Sequence, residues 1–387
     1  MLILVLVLWM LGAFLSVGIS GVNYVCARRA AERPWKTKKD SAYLPKVSIV
    51  VPTYNEHEVI GYKLRNLAKL EYPRDLLQLV FVDSHSTDST VDSIRDFIME
   101  NPKMNVHLLV ESERKGKSSA LNAASRHVAG DVIVISDADC FWPAKILFMS
   151  LPYLADPSVG AVSGPKSLLN SQDSWVTRSE ERYLRSANLI KLGESKTWST
   201  ILFEGGFSAY KRGVLETFDP YNTGSDDCGS VIRCLEKNLR AIMVTEGQFF
   251  TTFPNDLKGR IEIKIRRGAQ LFQVLKSYGR LLLRGTFSSL RWMVTKNLLL
   301  YVLAPIMFIF LIAMTAYLIA LFPPMIILLA VFLIPKINVY AAEATLNYLI
   351  MFYSMISTVS NRTFSIWKKP SDRQLLLEDD LLKKQLI

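Results

Sequence analysis

The chain has 387 residues, half of them hydrophobic, with a formal net charge of +11. Its positive mean hydropathy is too high for a purely soluble enzyme, and its charge content is too high for a pure transporter. Lys and Arg cluster beside apolar runs, as at a cytoplasmic membrane face, which weighs against nucleic acid as the partner.

Residues 1–26 carry no charged side chain, enough to cross a bilayer, and Arg28, Arg29, Arg33, Lys36, Lys38 and Lys39 follow. This basic linker, residues 27–45, places the next domain in the cytoplasm. No basic stretch precedes the apolar run, so it reads as an anchor; a cleaved signal, with Ala30-Ala31 near a cut, is the alternative. Four cysteines, Cys26, Cys140, Cys228 and Cys234, show neither CxxC spacing nor a disulfide framework, which fits a reducing compartment.

From Val47 the pattern is α/β. Val47 to Val51 is a buried strand, Pro52-Thr-Tyr54-Asn55-Glu56 a turn, and Val59 to Leu70 an amphipathic helix. Leu77 to Val82 is the second strand, ending at Asp83, which points into the crevice, with Ser, Thr and Asp residues to cap the next helix. Val106 to Val110 is the third. The loop Glu113 to Asn122 combines Gly116 with Lys115 and Lys117 just before a helix, an arrangement suited to phosphate. It lacks Walker A spacing, and no GxGxxG follows the first strand, so a dinucleotide-dependent dehydrogenase has little support.

Val132 to Ile135 is four consecutive β-branched aliphatics, a strand buried on both faces, and Asp137 and Asp139 follow where it must run out. In a parallel sheet, ligands bind beyond the carboxyl ends of strands. The acid pair therefore reads as a site for a divalent cation holding a phosphorylated ligand; a solvated Asp-rich turn is the alternative. The strand–helix alternation gives the fold class: α/β, with a Rossmann-like, mostly parallel sheet flanked by membrane helices.

The four ordered motifs, Val47 to Glu56, Val82 to Thr90, Gly116 to Asn122 and Asp137-Ala138-Asp139, resemble those of the family 2 glycosyltransferases with the GT-A fold. The flanking apolar segments resemble the membrane-embedded branch that includes cellulose, chitin and hyaluronan synthases. The resemblance implies transfer of a sugar from a nucleotide sugar, by default a UDP-sugar, with inversion. It implies that Pro52, Tyr54, Glu56 and Asp83 line the nucleotide, Asp83 touching the base, and that Lys117 approaches base and diphosphate. Asp137 would face ribose or metal, and Asp139 would ligate Mg2+ or Mn2+. Ser84 stands where the family often has a second acid.

Downstream, Gly160 to Gly164 suits a strand, and Asp173 to Glu194 reads as a charged, exposed helix. Glu204, Gly205 and Gly206 resemble the family's small-residue segment lining the donor-sugar and acceptor cleft; a tight turn between core elements is the alternative. Asp226-Asp227 resembles the Glu-Asp motif heading a helix that later carries an Arg, here Arg233. Asp227 is then the candidate general base, with Asp226 beside it, and a purely structural acid pair at a helix N-terminus is the alternative.

Residues 255–292 are basic and amphipathic, suited to lying among lipid headgroups, so membrane lipids are expected partners. The polymer synthases carry a (Gln or Arg)-x-x-Arg-Trp signature here. This chain offers Lys264-Ile-Arg-Arg267-Gly268 without the Trp, which argues against a long-chain synthase and leaves Arg267 to pair with the diphosphate. Arg291-Trp292 occurs later, but Ser288 stands at the signature's first position, and the pair reads as an interface anchor. Leu298 to Phe322 can span a bilayer, and Pro323-Pro324 ends it. Within the membrane region 293–360, the reading is three crossings for the whole chain, with a re-entrant piece as the alternative. Residues 361–387 read as a charged cytoplasmic tail.

The soluble domain, residues 46–254, is thus expected to be an inverting membrane glycosyltransferase whose acceptor is a hydroxyl of a lipid-linked glycan or glycolipid. A polyprenyl- or dolichyl-phosphate glycosyltransferase, a processive polysaccharide synthase, and a non-catalytic nucleotide-binding scaffold are the alternatives.

Overall fold

The computed structural model describes residues 2–285, 291–335, 337–359 and 375–387. They fall into two compact units: residues 27–260 with 375–387, and residues 2–26 with 261–359.

The first unit is built on a seven-stranded sheet in the order β3-β2-β1-β4-β7-β5-β8. β1 (Val47–Thr53), β2 (Leu77–Asp83), β3 (Asn105–Val110) and β4 (Val132–Ile135) run parallel. β1, β2 and β4 are almost wholly buried, which is why they read as unbroken aliphatic runs rather than alternating ones. The chain winds from β1 outward to β3 and returns to β4 on the other side of β1, so the topological switch lies between β1 and β4. Registers decide what stands there. Thr53 pairs with Asp83, whereas β4 stops at Ile135 opposite Val50, so Asp137 and Asp139 extend past the short strand beside the ends of its longer neighbours.

Four strands, β6 to β9, were not legible in the sequence. β7 (Ser208–Lys211) lies antiparallel between β4 and β5 (Val159–Ser163), with Ile135 opposite Ser208. β8 (Arg240–Met243) extends the sheet beyond β5, and β9 (Phe249–Thr251) pairs with β6 (Lys166–Leu168) in a separate two-stranded sheet. The Glu204 to Gly206 segment is therefore the entry to a buried strand. Because β7 is antiparallel, the residues before it lie at the same end of the sheet as the residues after β4.

The helix expected at Asp173 to Glu194 spans Trp175–Thr197 and opens on a capping box between Ser174 and Thr177. It is not exposed throughout: Glu180 is 1% exposed and sits 3.3 Å from Arg260, itself 1% exposed, so the helix turns charge inward because a buried partner receives it. The stretch expected to be a charged tail also differs. Residues 375–387 carry a helix, Glu378–Lys383, and bury Leu376, Leu381, Leu386 and Ile387 against Val59 and Phe141. Leu376, Leu381 and Leu386 turn inward while Leu377 and Leu382 stay exposed, so the charged composition hides a buried apolar side. The earlier part of the expected tail, through Gln374, lies outside the described residues.

Among the described residues of the second unit, two helices are long and apolar enough to cross a membrane, Leu2–Ala31 and Arg291–Leu321, the first running into the other unit at its end. Trp9 Nε1 donates to Thr315 Oγ1 at 2.8 Å, joining them. Pro323–Leu333 is a 3-10 helix and Ile337–Val359 an α-helix. The basic amphipathic stretch forms Leu257–Leu283, where Gly268 lies against Ser354: an added Cβ would stand 2.6 Å from its hydroxyl. Arg267 is on this helix. Ser288 lies outside the described residues, and Trp292 is 71% exposed.

At the end of β5, a Cβ on Gly164 would lie 1.6 Å from the Gly247 carbonyl oxygen, whereas one on Gly213 would meet nothing within 4 Å. Gly164→Ala should therefore destabilise the soluble unit by about 2–3 kcal/mol. Gly213→Ala should be close to neutral; thermal unfolding of the two variants beside the parent checks both.

Candidate active site

The turns after β1 and β2 are stitched into one surface. Asn55, in the left-handed region at φ 51°, donates its N–H to Ser86 Oγ at 2.8 Å and accepts the Thr87 N–H on Oδ1 at 2.8 Å. Glu56 N–H donates to Thr90 Oγ1, and His57 Nδ1 lies 2.9 Å from Asp88. Asp83 does not stand open to the crevice as expected. It is fully buried, and its carboxylate accepts from Ser86 N, Ser86 Oγ and Thr53 Oγ1, so it shapes the loop from beneath. The reason is local: a strand-end Asp reaches the amide three residues on, closing an Asx-type turn. Pro52 ends the surface at β1, and the half-buried Tyr54 carries the Arg114 guanidinium 3.7 Å above its ring.

Gly116, at φ 97°, turns the chain into the Lys117–Ala124 helix, and Lys117 reaches across the crevice. Its Nζ stands 2.6 Å from Asp137 Oδ1 and 2.9 Å from Asp226 Oδ2, joining two acid motifs far apart in sequence. Burial would lower the Lys117 pKa, but Asp137, Asp226 and Asp227 outweigh it and raise it, so the ammonium keeps its charge. Asp226 responds to the same group. Burial raises it, Lys117 pulls it down, and Asp227 and Asp137 push it up again, leaving it at about 6: one ammonium does not neutralise three carboxylates.

Asp226 and Asp227 open the Asp226–Glu236 helix, where backbone N–H groups favour negative charge. Asp227 Oδ1 accepts from Ser225 Oγ and from Cys228 N at 2.7 Å; no bond to Oδ2 is formed among the described residues. Asp219 shapes the turn before them, its carboxylate accepting from Thr223 N, Thr223 Oγ1 and Gly224 N at 2.7–2.9 Å. Sequence reading passes over Asp219, although Asp-Pro-Tyr-Asn-Thr-Gly is turn chemistry. Arg233 instead pairs with Glu236 at 2.9 Å, one turn on along its own helix.

The antiparallel entry to β7 lays glycine against this group. A Cβ on Gly205 would be 2.9 Å from Lys117 Nζ and 3.1 Å from Asp137 Oδ2, and one on Gly206 would overlap Phe249. Glu204 is paired with Lys191, a buried lysine from the Trp175–Thr197 helix.

Asp137, Asp139 and Cys140 offer ligand atoms within 4.8 Å of one another. Burial, Asp139 and Asp137 hold the Cys140 thiol well above its usual range, so it stays protonated and the available donors are carboxylate oxygens. Such a set fits a hard cation of the Mg2+ or Mn2+ kind better than a thiolate-seeking metal. Thr251 Oγ1 approaches Asp139 Oδ2 at 3.4 Å because Phe141 and Phe250 exchange backbone hydrogen bonds. Behind the acids lies Lys63, with no exposed surface. Burial lowers its pKa while Cys140, Asp137 and Asp139 raise it, leaving it at about 8. The sequence held a signal for it: Lys63 falls on the apolar stripe of Ile60, Leu64 and Leu67, where a solvated lysine does not belong.

A crevice at the switch point of a parallel sheet, with acids, a lysine and a glycine-led helix converging on it, defines a nucleotide-binding α/β enzyme. The model for Glycosyltransferase like family 2 matches residues 45–269, and the chain belongs to that family. Its fold is the GT-A fold of the glycosyltransferases it resembles. A mannosyltransferase from Pyrobaculum calidifontis, solved in complex with GDP-Man and Mn2+, has a TM-score of 0.79 and 28% identity, covering 93% of this chain and 100% of that one. A probable glycosyltransferase of Bacillus subtilis is 34% identical over 37% of this chain and 34% of its own length. A beta-monoglucosyldiacylglycerol synthase of Synechocystis sp. is 30% identical over 44% of this chain and 37% of its own. The chain thus spans about a third of the length of these curated relatives.

Asp219→Ala would release the turn that presents Asp226 and Asp227 without removing a ligand-facing group. Turnover should fall about 10- to 100-fold, as for a misplaced catalytic group. Nucleoside diphosphate affinity, measured by calorimetry, should stay within about twofold because the turn lies outside the nucleotide surface.

Proposed function

We propose that the protein is an inverting, metal-dependent membrane glycosyltransferase that moves a sugar from a nucleoside diphosphate donor to a hydroxyl of a lipid-linked glycan or glycolipid. The observation that carries this reading is Lys117 bridging Asp137 and Asp226, with Asp227 the next residue. A donor-side acid motif and an acceptor-side acid motif thereby share one crevice.

Each group has a task there. The surface of Pro52, Tyr54 and Glu56, underpinned by Asp83, receives the base and ribose, with Arg114 over Tyr54 as one wall. Asp137 and Asp139 would hold Mg2+ or Mn2+, which when bound offsets the charge of the departing diphosphate. Lys117 supplies further positive charge to the same phosphates. Gly205 lets the donor sugar lie close to the backbone, Gly206 packs against Phe249 behind it, and Glu204 is fixed by Lys191 at the acceptor side. Asp227 takes the acceptor proton on Oδ2 while Ser225 and Cys228 steady Oδ1. Asp226, nearer neutrality, spares Asp227 a second full negative charge. The donor is taken as a UDP-sugar by family default, and the likeness to a protein solved with GDP-Man is the reason to include GDP-sugars in the test.

An even number of crossings between residue 260 and residues 375–387 is supported by their clustering in one compact unit. We assign three crossings in all: Leu2–Ala31, Arg291–Leu321 and Ile337–Val359. The basic residues after the first put the catalytic unit in the cytoplasm.

The test is release of nucleoside diphosphate by detergent-purified protein across a panel of UDP- and GDP-sugars, with Mn2+, Mg2+ or EDTA, and with or without membrane lipid extract. Release should require metal, rise with lipid and disappear in Asp139→Ala. Asp227→Asn should cut turnover by a factor of about 10²–10⁴, while nucleotide binding persists. Full turnover in Asp227→Asn would remove the base and point to a phosphate acceptor, already an anion; nucleotide binding without turnover under any condition would favour the scaffold reading.

A further inference from the structure

The buried face of the His57–Ala68 helix carries two polar side chains one turn apart, Lys63 and Asn66, among Ile60, Leu64 and Leu67. Lys63 Nζ donates to Ser136 Oγ and to the Cys140 carbonyl, both at 2.6 Å. Those two residues bracket Asp137-Ala138-Asp139. Asn66 fixes the far end of the loop, accepting the Trp142 N–H on Oδ1 at 3.0 Å and donating Nδ2 to the Trp142 carbonyl at 2.8 Å. One rigid helix thus grips the acid loop on both sides of its carboxylates.

The second hydrogen of Asn66 Nδ2 goes elsewhere, to the Leu386 carbonyl at 2.6 Å. Around that bond the 375–387 segment buries Leu381 and Leu386 in a cluster with Val59 and Phe141, the residue that follows Cys140. At its rim Arg65 meets Glu378 at 2.7 Å, and Lys384 lies 4.8 Å above the Phe250 ring. A buried amide with both hydrogens used holds one orientation, and here Trp142 and the docked segment satisfy it together.

We propose that Lys63 and Asn66 are positioning residues for the metal-binding loop, and that docking of residues 375–387 completes the clamp and raises the affinity of Asp137 and Asp139 for a divalent cation. The inference rests on those acids being the metal site. Groups that orient metal ligands from behind typically contribute 10- to 100-fold in affinity. Coupling of this kind is reciprocal, so a cation at the acids must in turn tighten the segment.

Hydrogen exchange of the full chain in detergent, with Mg2+ alone or with EDTA, tests this in the unaltered protein. Mg2+ should slow exchange in residues 136–142 and in residues 375–387 together. Protection of 136–142 with no change in 375–387 overturns the clamp and leaves the metal site standing; no change in either segment overturns both. A second measurement is Mn2+ binding by electron paramagnetic resonance, a readout independent of turnover. Leu386→Asp, which undocks the segment, should weaken Mn2+ about tenfold, and Lys63→Met should do the same. Leu382→Asp, at a side chain 52% exposed, should not. Wild-type Mn2+ affinity in folded Leu386→Asp would sink the proposal, and if that variant does not fold, the exchange measurement on the parent decides.

Discussion

Negative charge gathered in a half-buried crevice is costly unless positive charge is drawn to it, and the soluble unit is organised around meeting that requirement. Lys117 lies between Asp137 and Asp226 with Asp227 adjacent, and Lys63 lies behind the β4 loop. Three acids around one ammonium leave a residual negative field at the mouth of the site. That field is suited to a divalent cation accompanied by a phosphorylated ligand. Burial first, and then the same field, lift Asp226 toward neutrality.

Backbone topology makes the gathering possible. β4 stops short of its neighbours, and β7 enters beside it in the opposite direction. Residues after β4 and residues before β7 therefore share one end of the sheet, which lays Gly205 against Asp137 and Lys117. A parallel β7 would have carried Glu204, Gly205 and Gly206 to the opposite end. Glycine suits that position because a Cβ would intrude on the ion pair.

Positioning residues support these groups from outside the reach of a ligand. Asp83 spends its carboxylate on its own loop, Asp219 on the turn before Asp226, and Asn66 on the backbone of Trp142 and Leu386. Each is a short polar side chain satisfying backbone N–H or C=O groups where a loop could not pair with a strand. Loops of this kind owe their shape to specific acceptors and donors, so the geometry of the crevice depends on residues buried beneath it.

The sequence by itself determined the parallel half of the sheet, the family, the acid motifs and two of the apolar spans. Those features are written in local periodicity: unbroken aliphatic runs for β1, β2 and β4, turn residues at their ends, and uncharged stretches long enough for a bilayer. Only the tertiary structure decided the placement of β7, the pairing of Lys117 with both Asp137 and Asp226, the burial of Asp83, and the docking of residues 375–387. Apart from the local turn at Asp83, each depends on partners tens to hundreds of residues away. Ser208 to Lys211 is too short and mixed to announce a strand, and it becomes one because β4 and β5 leave a gap that its backbone fills. The final segment looks like a solvated tail by charge. Its leucines are buried because Val59 and Phe141 present an apolar surface that no local pattern records.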